Sequence, residues 1–313
     1  MNLSIDRTIL SIDIGTNSIH GIIARISNSD FTILFRDKVS IRLGNSIVNN
    51  QISDDSIISA TRVIDKFKYH AQSYDAEVFA VATSAVRESK NSEYFKEEIF
   101  KKTGISIDII DGEKEAELIY LGVKHGLKPK SSSFVIIDIG GGSTELVFSY
   151  GQRTIFKSLK VGAIRLSKLF FENFYTDKTN IENCKRYISE IFDKETKGFE
   201  NRIFESFIGT SGTIQQIARL IQVNNGFTPL RFLNDVSIHT EDYKKIYNEI
   251  IEASKPEDRL RISGMDSSRA DIISAGTLIL DEFLNRFNVT EILVSTFSLR
   301  EGVIFDKYYK NIK

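Results

Sequence analysis

Cysteine occurs once in the 313 residues, at Cys184, so neither an internal disulfide nor a thiolate zinc cage can form. Proline occurs three times, too rarely for a stiff linker, so domain boundaries must be sought by other marks. No apolar run approaches the roughly 18 residues of a membrane span. The opening MNLSIDRTILSIDIG lacks the basic head, apolar middle and small-residue cleavage site of an export signal. A cytoplasmic location and no membrane partner are therefore expected. The net charge of −1 provides no global basic field, so nucleic acid is not an expected partner, and any polyanion would need local positive charge. His20, His70, His125 and His239 show no metal-ligand spacing, and no GxSxG nucleophile elbow occurs. What remains is a chain of globular composition, 41% hydrophobic and 27% charged, long enough for two domains.

The organisation shows itself as a repeat. Residues 12–18 read IDIGTNS and residues 137–143 read IDIGGGS, identical at five of seven positions. A short apolar run precedes each, and an alternating strand follows each, SIHGIIARIS and then STELVFSYG. Strand, glycine-containing turn and strand make a β-hairpin. Its glycines let a backbone approach an anion, and successive N–H groups in a tight turn form an anion nest. Thr16, Asn17 and Ser18 in the first turn, and Gly140, Gly141, Gly142 and Ser143 in the second, are the candidate phosphate ligands. An aspartate at each strand end, Asp13 or Asp138, is placed to hold a hydrated divalent cation beside that phosphate. A plain turn is the alternative for either hairpin alone.

After the first hairpin a third strand is expected over 30–43, then a helix over 54–73, a strand over 76–83, a helix around 91–103 and a strand over 105–110. A further helix opens at Asp111. The second half repeats the theme: three strands over 133–161, helices near 162–173 and 180–197, and a strand over 206–210. Helices follow at 211–221, 240–253 and 268–287, then a strand at 291–295 and a last helix from about 299. A meander followed by helix–strand units, occurring twice, predicts two α/β domains with mixed sheets.

The ordered segments IDIGTNSIHGIIARI, ATSAVRES (82–89), IDGEKEAELIYLGV (110–123), VIIDIGGGSTELVF (135–148), VGAIRL (161–166), GTSGT (209–213) and LREGV (299–303) carry a specific likeness. Over essentially its whole length the chain resembles the exopolyphosphatase/guanosine pentaphosphate phosphohydrolase family, in its short two-domain form. That family belongs to the actin, sugar-kinase and Hsp70 superfamily. The resemblance implies two duplicated ribonuclease-H-like domains with the active site in a cleft between them. The expected boundaries are 1–125 with a returning helix at about 299–313, and 126–298. It implies hydrolysis of polyphosphate or guanosine pentaphosphate with Mg²⁺ or another divalent cation, and it leaves a homodimer open. A sugar or acetate kinase and a non-catalytic sensor of guanosine tetraphosphate or polyphosphate are the rival readings. The family's Ser-Gly-x-Glu-Glu-Ala reads here Asp111-Gly112-Glu113-Lys114-Glu115-Ala116, so the glutamate implicated as catalytic is kept as Glu115 and its neighbour has become Lys114.

Glu115 also stands out without the family. With Asp111 as N-cap, steps of ~100° put Glu115 in the stripe of Leu118 and Ile119, whereas Glu113 and Glu117 point away. A carboxylate on an apolar face is partly desolvated, which suits proton abstraction. Complementing the helix dipole is its structural alternative. Asp138 and Glu145 form a second acidic pair, for metal or for orienting water, and an ion pair with a neighbouring strand is the alternative for Glu145. Arg87, after a strand end, is placed to clamp phosphate, or is a surface arginine. Gly209, Ser211, Gly212 and Thr213 join a strand to a helix N-terminus, an anion site or a plain cap. His20 reads as a packed strand histidine, and Arg300-Glu301-Gly302 as either cleft-lining or structural.

Overall fold

The apolar stretches flanking the two glycine turns become the central strands of two separate sheets. The computed structural model describes residues 6–27, 30–199, 201–230 and 233–310. The chain divides into two units: unit 1 holds residues up to Gly122 and from Ser298 onward, and unit 2 holds Val123–Phe297.

Unit 1 begins with the antiparallel meander β1 (Arg7–Ile14), β2 (Ser18–Ile26) and β3 (Phe31–Ser40). A two-residue hairpin follows, β4 (Ile47–Val48) and β5 (Gln51–Ile52), turning on Asn49 and Asn50, both at positive φ. The expected third strand is therefore shorter, and this hairpin is additional. Helix α1 (Asp54–Ser73) starts where Ser53 accepts a hydrogen bond from the Ser56 amide, and it buries Ile57, Ile64 and Phe67. Then come β6 (Glu77–Ala82), the one-turn α2 (Ser84–Arg87), α3 (Ser92–Thr103), β7 (Ile107–Ile109) and α4 (Gly112–Leu127). β6 lies parallel to β1 and β7 parallel to β6, giving the order β3-β2-β1-β6-β7.

Unit 2 repeats the plan. The meander β8 (Phe134–Ile139), β9 (Thr144–Tyr150) and β10 (Arg153–Leu159) is followed by α5 (Ala163–Phe170) and α6 (Lys178–Glu195). Next come β11 (Ser206–Thr210), α7 (Gly212–Asn224), β12 (Val236–His239), α8 (Thr240–Glu252), the short α9 (Pro256–Arg259), α10 (Ile273–Arg286) and β13 (Glu291–Val294). The order is β10-β9-β8-β11-β13-β12, with β11 parallel to β8 and to β13. Apart from the antiparallel edge strand β12, this is the order of unit 1, so the duplication read from the two motifs extends to whole sheets. α11 (Leu299–Lys310) completes unit 1 by packing on β1 and β2.

Each unit has its own apolar core. In unit 1 Leu10, Ile12, Ile14, Ile64, Phe67 and Phe95 meet between the sheet and α1 and α3. In unit 2 Ile137, Phe148, Phe192, Ile217, Phe283 and Ile292 do the same. No helix of the described residues is long and apolar enough to cross a membrane.

Candidate active site

Both glycine turns are held by the same device. In unit 1 the Gly15 amide donates to the Ser18 carbonyl at 3.1 Å, and the carbonyls of Thr16 and Asn17 accept from the amides of Gly44 and Arg42 at 2.9 Å each. In unit 2 Gly140 donates to the Ser143 carbonyl at 2.9 Å. The carbonyls of Gly140 and Gly141 then accept from the first amides of α5, those of Ala163, Ile164 and Arg165. The Gly142 carbonyl takes Arg165 Nε at 2.6 Å. In a trans peptide the C=O of one residue and the N–H of the next point in opposite directions. Tying these carbonyls backward therefore turns the amides of Asn17 and Ser18, and of Gly141, Gly142 and Ser143, the other way. That is an N–H-lined concavity suited to an anion. Gly162 makes the arrangement possible in unit 2, because a Cβ there would lie 2.6 Å from the Gly141 oxygen. In the first turn Asn17 Nδ2 is buried and makes no hydrogen bond, a donor with nothing of the protein to receive it.

Glu115 lies in the first turn of α4, 7% exposed, while Leu118 and Ile119 beside it are 3% and 2% exposed. Asp111 caps this turn by accepting from the Lys114 amide at 2.8 Å. Glu113 is exposed and Glu117 half-buried. Arg87, at the end of α2, donates through Nη1 to Glu115 Oε2 and to the Ile110 carbonyl, both at 2.9 Å. It thus joins α2 to α4 and orients the carboxylate with a charge-assisted bond. Lys114 turns away from Glu115: Nζ meets Glu117 at 2.8 Å and the buried Asp306 of α11 at 3.4 Å. Burial works against its charge, but those two carboxylates prevail and hold the ammonium above the ordinary lysine range.

In unit 2 Asp138 and Glu145 are directly opposed across β8 and β9, and so share one face. They are 8% and 2% exposed. Glu145 Oε1 accepts from Ser158 Oγ at 2.8 Å, which fixes one oxygen from β10. Among the described residues no set of three or more His, Cys, Asp or Glu side chains is gathered as a cation cage. Two neighbouring carboxylates nevertheless fit Mg²⁺, which is ordinarily held by one or two carboxylates with the remaining positions left to water and substrate phosphate. In unit 1 Asp13 lies near the end of β1, opposite His20.

The segment from Gly209 to Thr213 enters α7 through a distorted residue. Ser211 has φ 95° and ψ 169°, a region essentially reserved for glycine. Its Oγ is buried and makes no hydrogen bond. Gly212 is required by its neighbour, since a Cβ there would lie 1.5 Å from Arg269 Nη2. The Arg269 guanidinium therefore rests over the N-terminus of α7. Burial, with Arg219 nearby, holds it below the usual arginine range against the pull of Asp266 and Asp271. A partly desolvated cation at a helix N-terminus beside an unused hydroxyl is a strong anion site. Arg269 was not among the residues singled out from sequence. Its one mark there is its place in MDSSRAD, a polar loop just before a long apolar helix.

His20 and Arg300 meet within unit 1. His20 Nε2 is 2.8 Å from Ser18 Oγ, and its Nδ1 is 2.6 Å from Arg300 Nη1.

Residues 22–311 match the model of the Ppx/GppA phosphatase family. A Haemophilus influenzae protein provisionally named an exopolyphosphatase is 30% identical, over 96% of this chain and 91% of its own. A Fusobacterium nucleatum bifunctional 3-dehydroquinate synthase/phosphatase is also 30% identical, over 95% of this chain but 46% of its own. Among solved structures, an exopolyphosphatase from Cytophaga hutchinsonii superposes with a TM-score of 0.89 at 26% identity, covering 97% of this chain and 98% of that one. The Aquifex aeolicus member of the Ppx/GppA family gives 0.82 at 27% identity, covering 98% and 99%.

Proposed function

This chain belongs to the Ppx/GppA phosphatase family and is a hydrolase of phosphoanhydride bonds; on that premise we propose that it releases the terminal phosphate of inorganic polyphosphate. The observation that carries the proposal is the pair of turns whose carbonyls are tied back so that their amides face outward. Each such turn suits a phosphate group and needs no base or sugar to be recognised. The names of the Haemophilus and Cytophaga relatives point the same way.

In this reading Thr16, Asn17 and Ser18 receive phosphate oxygens in unit 1, and Gly140, Gly141, Gly142 and Ser143 do so in unit 2. Gly209, Ser211, Gly212 and Thr213, with Arg269, bind a further phosphate of the chain. Glu115 takes the proton of the attacking water, and Arg87 orients it for that task. Asp138 and Glu145 of unit 2 are the residues for a magnesium ion, which when bound neutralises charge on the phosphoryl oxygens. Catalysis is then a matter of positioning and charge, as phosphoryl transfer requires.

The test is phosphate release by the purified chain on long-chain polyphosphate, tripolyphosphate, guanosine pentaphosphate and ATP in parallel, with and without Mg²⁺. Polyphosphate should give the highest kcat/KM. A higher value on guanosine pentaphosphate would transfer the assignment to the nucleotide, and transfer of phosphate to a sugar or acetate would overturn it.

A further inference from the structure

We infer that Arg300 is a positioning residue, which acts through His20 to aim the hydroxyl hydrogen of Ser18 at the bound phosphate. The inference rests on the reading of the first hairpin as a phosphate site, and its geometry lies wholly within unit 1.

Ser18 and His20 are two apart on β2, so their side chains leave the same face of the strand. His20 bridges two groups, with Ser18 Oγ at 2.8 Å from Nε2 and Arg300 Nη1 at 2.6 Å from Nδ1. A guanidinium can only donate. Nδ1 must therefore accept, and a neutral ring with an accepting Nδ1 carries its hydrogen on Nε2. That N–H donates to Ser18 Oγ and occupies a lone pair, so the hydroxyl hydrogen is directed elsewhere. Ser18 itself is 6% exposed and lies in the turn whose amides face outward. A serine hydroxyl ordinarily rotates between donor and acceptor roles. Here it is committed to donation, the role a phosphoryl oxygen needs.

The arginine is fixed in turn by Glu301, which is fully buried. Glu301 Oε1 takes Arg36 Nη2 at 2.9 Å, and Oε2 takes the Ser298 amide at 2.9 Å with Arg300 Nε at 3.8 Å. Two guanidiniums thus share one carboxylate. The LREGV segment, which sequence left undecided between lining and structural roles, so acquires a function: it holds a cation against the second nitrogen of a histidine whose first nitrogen governs a phosphate ligand.

Two measurements on the full chain test this. The first reads the imidazole nitrogens by NMR in ligand-free protein, at a pH above the ordinary histidine range, with His20 assigned by its loss in His20→Gln. Nε2 should bear the hydrogen and Nδ1 should show the shift of a hydrogen-bond acceptor; a hydrogen on Nδ1 overturns the inference whatever the enzyme hydrolyses. The second is a kinetic cycle on polyphosphate. Ser18→Ala and Arg300→Met should each raise KM about tenfold with kcat little changed. The double variant should be no worse than the weaker single one, because both remove one interaction. His20→Gln, which keeps one acceptor and a donor, should recover part of the affinity lost in His20→Leu. Losses that multiply in the double variant mean that Arg300 meets the substrate itself, and the relay is wrong. A chain inactive on every phosphate substrate would instead sink the proposed function, while the nitrogen spectrum would still decide the tautomer.

Discussion

Replacing Glu115 by glutamine keeps the shape and the hydrogen bond from Arg87 but removes the group that accepts a proton. Glu115→Gln should lower kcat by roughly 10²–10⁴ with KM little altered; near wild-type turnover would remove Glu115 from the chemistry. Ser211 allows a test in which stability and activity move in opposite directions. Its backbone is strained and its hydroxyl makes no hydrogen bond. Ser211→Gly relieves the strain and should stabilise the fold by about 1 kcal/mol, while KM for polyphosphate rises several-fold. Unchanged KM would make the distortion purely structural. Burial of Glu115 was readable from sequence because helical spacing is local, and Leu118 and Ile119 mark the face. Arg269 was not, since what defines it is contact with Gly212, a residue far away in the chain. The same holds for Arg300 and His20, which meet across the whole length of unit 1's sequence.

At the scale of elements, α4 and α11 cross with backbones touching. A Cβ on Gly302 would lie 1.8 Å from the Leu118 carbonyl oxygen, and one on Gly122 2.1 Å from that of Ser298. Neither obstacle is a side chain that could swing aside. Gly302→Ala should therefore destabilise the protein by about 3 kcal/mol or more in urea unfolding, and a loss under about 1 kcal/mol would show that the helices part easily. The long elements were readable because several local signals agreed. α1 has Ser53 as cap, two acidic residues in its first turn and a buried stripe. β12 was missed because VSIH is four residues long and half-exposed at a sheet edge, too short for alternation to show. The β4–β5 hairpin was missed because two-residue strands carry no period at all. Its only trace is the Asn49-Asn50 pair, whose positive φ angles suit a tight turn.

For the molecule as a whole, the single cysteine serves as a reporter of unit 2. Cys184 is fully buried in that core, and burial pushes its thiol up to about 12. The folded protein should resist alkylation at neutral pH, with modification appearing only as denaturant opens unit 2. Stoichiometric labelling within minutes under native conditions would mean that this core breathes far more than its packing indicates. The glycines at the crossings have one more consequence. Unit 1 releases the chain at Gly122 and takes it back at Ser298, two residues in contact. Unit 2 likewise begins and finishes side by side, as a Cβ on Gly126 would lie 2.2 Å from the Phe297 ring. The second unit is thus a parenthesis in the text of the first: it opens and closes at one point. Such a passage can be lifted out, or given new ends elsewhere by circular permutation, with only a short splice needed to mend the gap.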